Sequence, residues 1–261
     1  MPLAQLLHRA LLLVEGEDAE HFLEGLITSE LPGDGEVRGS ALLTPQGKLL
    51  FSFLVSKHGE GFALECDASE IDALTKRLTL YKLRAKVTLT PSDLQVFSGV
   101  ADGLKDARHP QMGVRHYGAA NATETAEAYH AHRAALGVLE GPSEVLASQD
   151  FPHDVALDLT DAVSFSKGCF VGQEVVSRVK HRGTSRRRPV LVTGETVSIG
   201  DTVQVGEREV GTIRLVAGNN AVAVVRIDQL KGPAHVNGAP VELAPPPYAT
   251  YSLGPEAKNQ D

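Results

Sequence analysis

The chain has 261 residues, enough for one large domain or two modest ones, and its 42% of apolar residues can supply a sizeable core. Charged residues make up 22%, and this balance excludes a disordered or collagen-like chain. The longest apolar runs are five residues, against about 20 for a membrane-spanning helix, and the net charge of -8 argues against a protein that coats nucleic acid.

The first part of the chain predicts a mixture of helices and strands. Ala10 to Val14 is typical of a buried strand, and Asp18 is placed to cap a helix whose apolar residues fall at helical spacing. A Pro45-Gln46-Gly47 turn between β-prone runs predicts a hairpin of residues 40–44 and 48–56. The further predicted elements are a strand over 62–66, a capping-box helix over 69–81, strands over 86–90 and 95–98, an irregular stretch over 101–122, and a helix over 126–136.

From Pro189 onward the pattern changes to short β-rich pieces separated by Gly, Asn and Pro, which predicts a small all-β module such as a barrel. The predicted strands are 190–193, 202–205, 209–216, 221–227 and 241–243, with Asn219-Asn220 as a hairpin turn. We therefore expect three segments: a mixed α+β region over 1–186, a barrel over 187–247, and a tail over 248–261.

The beginning of the sequence and its two cysteines predict a protein of the reducing cytoplasm. The first nine residues lack a basic stretch ahead of an apolar one, and two thiols are too few for a disulfide framework or a four-thiolate metal site. Cys66 ends an apolar strand and is expected to lie in the core. No His-x3-His or Cys-x2-Cys spacing indicates a metal site, and no motif indicates nucleotide or serine hydrolysis.

The most informative segment has a cysteine between two glycines, followed by a Gln-Glu pair. We expect Cys169 at a helix start beside cations, where the thiolate is favoured, which makes it a candidate ligand or nucleophile. Gly168 and Gly172 would let a ligand approach the backbone, and Gln173 and Glu174 offer an edge for an amide or aminopyrimidine ring. The alternative is that Cys169 is a small buried residue and the glycines only turn the chain.

A basic stretch follows this segment: seven cations and one anion lie between Lys167 and Arg188. It could bind an anionic ligand such as a polyglutamate or phosphate tail, or RNA, or it could be a solvated linker. The nearby Phe165 and Phe170 do not make a stacking platform, which argues against direct nucleic-acid binding. The candidate anion or partner patch comprises Arg178, Lys180, Arg182, Arg186, Arg187 and Arg188.

Residues 167–174 resemble the K-G-C-[YF]-x-G-Q-E signature of the YgfZ-type folate-binding proteins, which are relatives of the glycine-cleavage aminomethyltransferase. The resemblance extends over 16–28, 43–48, 78–84 and the arginine-rich exit. It implies two intertwined α+β domains and a C-terminal β-barrel, around a central channel that binds tetrahydrofolate. It also implies a role in assembly or repair of iron-sulfur proteins, and indirectly in tRNA modification, with iron-sulfur assembly proteins or client enzymes as partners.

Carried onto this sequence, the resemblance implies that Cys169 is the functional thiol. The folate-binding residues that it implies are Lys167, Gly168, Gly172, Gln173, Glu174, Thr44, Gln46, Gly47, Tyr81 and Arg84. Phe51 and Ser52 stand where aminomethyltransferases carry acidic residues, which argues against aminomethyl transfer. Ala135 stands where many relatives have an acid for the pterin edge, and an unpaired pterin donor would cost about 1–3 kcal/mol.

These features give one leading hypothesis and two alternatives. The leading hypothesis is an accessory protein, rather than a conventional enzyme, that binds a reduced folate and supports iron-sulfur protein maturation through its signature cysteine. Because the chain has only two thiols, any cluster would be shared with a partner protein or completed by small thiols. The alternatives are a tetrahydrofolate-dependent one-carbon transferase and an RNA-contacting module that uses the basic stretch.

Overall fold

The structure, a computed structural model, describes residues 3–99, 102–183 and 185–254. Its first part is built on one nine-stranded sheet. The strands of this sheet are β1 (Ala4–Gln5), β2 (Arg9–Glu15), β3 (Glu36–Leu43), β4 (Leu49–His58), β5 (Gly61–Asp67), β6 (Thr88–Ser92), β7 (Val96–Gly99), β8 (Leu104–Asp106) and β9 (Val114–Tyr117). They lie in the order β1-β7-β9-β8-β3-β4-β5-β2-β6.

The predicted hairpin is confirmed, because β3 and β4 pair in antiparallel fashion from Val37 opposite Ser56 to Leu43 opposite Leu49. The neighbouring pair of β3 and β8 is parallel. The prediction of irregular structure over 101–122 is wrong where β8 and β9 form, although Ala101 lies outside the described residues. The alternating pattern that predicts a strand is absent from β9, because Arg115 occupies a fully buried position that such a pattern would give to an apolar residue.

Four α-helices are present among the described residues: α1 (Ala19–Glu24), α2 (Ile71–Lys82), α3 (Ala126–Ala135) and α4 (Gln173–His181). Phe22 and Leu23 of α1 and Leu74 and Leu78 of α2 are buried in one core with side chains of the sheet. The predicted Asp18 cap is not formed, because the Asp18 carboxylate instead accepts a hydrogen bond from the Lys86 backbone N–H at 2.7 Å.

The chain enters α2 differently from the capping box that the sequence predicts. Asp67 accepts a hydrogen bond from the Ser69 backbone N–H at 2.9 Å, and a 3₁₀ turn over Ala68–Glu70 precedes the helix. The cap therefore lies two residues before the serine that was expected to provide it.

The second part is a closed six-stranded barrel in the order β10-β13-β12-β11-β14-β15. Its strands are β10 (Arg187–Thr193), β11 (Thr202–Val205), β12 (Arg208–Ala217), β13 (Asn220–Arg226), β14 (Ala234–Val236) and β15 (Ala239–Ala244). The β12-β13 turn is Gly218-Asn219, one residue earlier than predicted, since Ala217 pairs with Asn220.

The chain after β15 packs back onto the protein. The Tyr248 hydroxyl donates to the Gly137 carbonyl at 2.7 Å, and the ring of Tyr251 is buried in the barrel core. Residues 255–261 of the expected tail lie outside the described residues. Among the residues that are described, no helix is long and apolar enough to cross a bilayer.

A second core joins the barrel to the segment that carries the signature cysteine. Phe170 and Val176 are buried together with Leu215 and Val222 of the barrel. The barrel therefore supports the cysteine segment from one side, while the helices of the sheet region support it from the other.

A network of buried charges fills the space between the sheet and α3. The Arg115 side chain is inaccessible and donates from Nε to Glu65 Oε2 at 3.1 Å. Arg108 Nη1 donates to Glu140 Oε2 at 2.7 Å, and Tyr129 of α3 donates to the same oxygen at 2.8 Å. Because a buried charge that loses its partner costs several kcal/mol, this network fixes the packing of α3 on the sheet.

Candidate functional site

The segment before the signature cysteine is tied to the chain that follows α1. Ser164 donates its backbone N–H to the Thr28 carbonyl at 2.8 Å. The hydroxyls of Ser164 and Ser166 each donate to Glu30 Oε1 at 3.0 Å, and these hydrogen bonds lower the pKa of Glu30. Lys167 Nζ donates to the carbonyls of residues 27 and 29, at 3.0 and 2.7 Å. The ammonium group of Lys167 therefore ties the cysteine segment to the backbone that follows α1. Burial lowers the pKa of this lysine.

Cys169 is exposed, whereas the two residues that follow it are anchored in the protein core. Phe170 is buried in the core shared with the barrel, and Val171 packs against the core under α1 and α2. Cys66, in contrast, has an inaccessible side chain, and burial raises the pKa of its thiol to about 12. Only Cys169 can meet a partner from solution.

Cys169 lines a groove of about 690 Å³. One wall is the polar face of α1, which carries Glu20, His21 and Glu24. Among the described residues, Glu20 and Glu24 form no ion pair, whereas the groove lysine Lys57 lies 3.1 Å from Asp34. One wall of the groove therefore carries carboxylates, and the second lysine of the lining, Lys167, interacts electrostatically with Glu24 and Glu30.

The structure does not place Cys169 at a helix start as the sequence suggested. Helix α4 begins at Gln173, four residues later, and Gly172 precedes it with a φ of +84°. A Cβ on Gly172 would lie 2.6 Å from the Thr44 carbonyl oxygen and 3.0 Å from the Gly47 Cα. The hairpin turn and the cysteine segment are thus in backbone contact, and glycine is required where they meet.

The residues predicted to bind folate lie in different surroundings. Lys167 and Gly168 line the groove with Cys169, and Thr44, Gly47 and Gly172 pack against one another. Gln46 is exposed on the hairpin turn, and Arg84 is exposed beyond the end of α2. Tyr81 packs on the core near the end of α2. Gln173 is half-buried at the start of α4, and the next residue, Glu174, forms an ion pair with Arg178.

The donor set of the groove also fits folate poorly. Among the described residues of its lining, Phe62 has the one phenyl ring, and this residue is only 5% exposed, so the ring cannot cover a pterin. The glutamate tail of a folate would face the carboxylates of α1. The lining therefore offers the tail of a folate these carboxylates as well as the two lysines Lys57 and Lys167.

The predicted basic patch divides into groups with different surroundings. Arg178 pairs with Glu174 along α4, Lys180 lies 3.9 Å above the ring of Phe165, and Arg182 is exposed. Arg188 is buried and makes a bidentate pair with Asp158 at 2.7 and 3.0 Å, so it does not contribute to an exposed patch. Arg186 and Arg187 line a second pocket beside the barrel.

The acidic wall of the groove was not among the features predicted from the sequence. Glu20 and Glu24 are one helical turn apart, on the face opposite the buried Phe22 and Leu23, and this spacing is visible in the sequence. What the sequence could not show is that the cysteine segment, more than a hundred residues later, packs against that helix.

The comparisons with known proteins agree on one family. The family model described as the C-terminal β-barrel domain of CAF17 matches residues 185–251. The human protein named iron-sulfur cluster assembly factor IBA57, mitochondrial, is 32% identical over 90% of this chain and 81% of its own length. The mouse protein of the same name is 30% identical over 90% of this chain and 80% of its own.

A fungal relative matches a smaller part. The IBA57 homologue of Pyricularia oryzae is 32% identical over 69% of this chain and 54% of its own length, so the match spans about half of that protein. These relatives are all named as mitochondrial proteins, which contradicts the cytoplasmic location predicted from the sequence and points to mitochondria.

The fold comparison confirms the expected fold class. The aminomethyltransferase T of the glycine cleavage system from Bartonella henselae superposes with a TM-score of 0.72 at 14% identity, over 99% of this chain and 87% of that one. The chain therefore has an aminomethyltransferase-like α+β fold with a closed C-terminal barrel, and it belongs to the family of the iron-sulfur cluster assembly factor IBA57.

Proposed function

We propose that this protein supports the assembly of iron-sulfur clusters and that Cys169 binds the cluster while it passes between proteins. The observation that carries the proposal is the contrast between the two thiols: Cys169 is exposed in a groove, and Cys66 is sealed in the core. The relatives named as iron-sulfur cluster assembly factors support the same function.

The cluster would be held jointly with another protein. Among the described residues, no group of three or more His, Cys, Asp or Glu side chains is placed to hold a metal ion. A [2Fe-2S] cluster needs four ligands, so one accessible cysteine must be complemented by thiolates of a carrier or client protein. The open groove gives such a protein access to the thiol.

The experiment is complementation of a deletion strain. Cys169→Ala is expected to leave cluster-dependent enzymes inactive although the protein accumulates normally, and thiolated tRNA should fall as an indirect consequence. The matched control is Cys66→Ala, which removes the other thiol from the core and should restore activity whenever the variant folds. Wild-type activity with Cys169→Ala would refute the role of the thiol.

Tetrahydrofolate binding remains a separate prediction, favoured by the fold shared with aminomethyltransferase T. Calorimetry with tetrahydrofolate and the purified protein tests it directly. Binding that Lys167→Met weakens and that Cys169→Ala leaves unchanged would support a folate role for the groove. Turnover of an aminomethyl or methylene donor would instead support the one-carbon transferase.

A further inference from the structure

A second pocket, of about 410 Å³, lies where α4 ends and the barrel begins. Arg186 comes from the connection into the barrel, and Arg187 is the first residue of β10. Arg226 lies at the end of β13, and His153 and Asp154 belong to a 3₁₀ turn over Pro152–Val155. These residues are far apart in the sequence, and the fold brings them to one concave surface.

The guanidinium groups of Arg186 and Arg187 have donors to spare. Among the described residues neither group makes a hydrogen bond; each has only longer ion contacts. Arg187 Nη1 is 3.6 Å from Asp150 Oδ1 and 3.7 Å from Asp154 Oδ2, and Arg186 Nη1 is 3.9 Å from Asp228 Oδ2. Guanidinium groups at such distances can still pair with an incoming acceptor.

Two of the nearby carboxylates are already paired with other arginines. Asp150 accepts two hydrogen bonds from Arg214, at 3.1 and 3.2 Å. Asp228 likewise accepts two from Arg226, at 3.3 and 3.1 Å. The remaining carboxylate, Asp154, accepts the Phe151 backbone N–H at 3.0 Å, and burial raises its pKa. The pocket is therefore left with an excess of positive charge.

His153 provides an independent sign that a polar ligand belongs here. The residue is 1% exposed, and neither of its ring nitrogens has a hydrogen-bond partner among the described residues. Burial lowers its pKa to about 4, so at neutral pH the ring is uncharged and offers one donor and one acceptor. A buried polar atom without a partner is costly, and a ligand in the pocket would supply one.

We propose that this pocket binds an oxyanion of the phosphate class, held by Arg186 and Arg187 and by the ring of His153. Planar guanidinium groups match the spacing of phosphate oxygens and bind them in pairs. The phosphate group could belong to a small phosphorylated molecule or to an RNA backbone. The site is separate from the cysteine groove and does not depend on the thiol.

The test is calorimetry on the purified full chain with two probes, pyrophosphate and a single-stranded oligoribonucleotide. The double variant Arg186→Gln/Arg187→Gln is expected to weaken binding about tenfold or more, since a hydrogen bond to a charged group contributes about 1.5–3 kcal/mol. Arg208→Gln/Lys231→Gln removes the same charge from exposed sites elsewhere on the barrel and should change binding little.

The two probes separate the sources of the phosphate. Tighter binding of pyrophosphate assigns the site to a small phosphorylated ligand, and tighter binding of the oligoribonucleotide, lost in the same variant, assigns it to RNA. His153→Phe, checked for an unchanged melting temperature, should also weaken binding. Failure of both probes to bind, or equal losses in the pocket and control variants, would overturn the proposal.

Discussion

Gly172→Ala tests whether the hairpin turn positions the cysteine segment. Gly172 has a φ of +84°, and its Cβ would lie 2.6 Å from the Thr44 oxygen and 3.1 Å from the Leu43 Cβ. Alanine at positive φ costs about 1–2 kcal/mol, and displacing packed backbone adds about 1–3 kcal/mol. The lower entropy of the unfolded alanine chain returns about 0.4–1 kcal/mol. The expected loss of unfolding free energy is therefore about 2–4 kcal/mol.

Gly200→Ala is the matched control, because Gly200 has a φ of +91° but nothing within 4 Å of its Cβ. It should cost only about 1 kcal/mol in urea denaturation. Thiol labelling of the native protein adds a second readout, since the inaccessible Cys66 does not react and the signal comes from Cys169. We expect Gly172→Ala to change the labelling rate and Gly200→Ala to leave it alone. Equal destabilisation with unchanged labelling would refute the positioning role of the turn.

Two further predictions concern strain and buried charge. Leu83 has a φ of 45° and is 89% exposed. Leu83→Gly should relieve about 1–3 kcal/mol of backbone strain, and the entropy cost of glycine is about 0.5–1 kcal/mol. The variant is therefore expected to have a higher melting temperature. Leu80→Gly, at an exposed position inside α2, should lower the melting temperature. A lower melting temperature in both variants would contradict the role of strain at Leu83. Burial raises the pKa of Glu140, but Arg9 and the neighbouring arginines lower it more, and the net pKa lies well below its usual range. Its ionised form therefore stabilises the protein above about pH 4, and this contribution is lost as the pH falls through the folded-state pKa. Glu140→Gln should cost about 3–5 kcal/mol at neutral pH and flatten the acid limb of the stability curve, and an unchanged acid limb would contradict this account.

Local patterns predicted much of the fold because their signals are short-range. The turn at Gly47 specified the β3-β4 hairpin, and Gly137 marked the end of α3 within two residues. The signature around Cys169 indicated the family from eight consecutive residues, 167–174. In each case the deciding residues lie within a few positions of one another.

The cysteine groove and the second pocket depend on contacts between residues that are far apart in the sequence. The acidic wall of the groove comes from α1, and the cysteine from a segment that Lys167 ties to residues 27 and 29. Arg226 joins Arg186 at the second pocket only because β10 and β13 pair in the barrel. Arg188 belongs by sequence to the same basic run, yet it is buried against Asp158, because alternate residues of a strand face opposite sides.

The most direct test of the central claim is transfer of a cluster to the purified protein in the presence of an iron-sulfur carrier. Visible absorption together with iron and sulfide analysis reports whether the two proteins hold a cluster jointly. We predict that wild type and Cys66→Ala form the cluster-bearing complex and that Cys169→Ala does not. A complex of equal iron and sulfide content with Cys169→Ala would contradict the account.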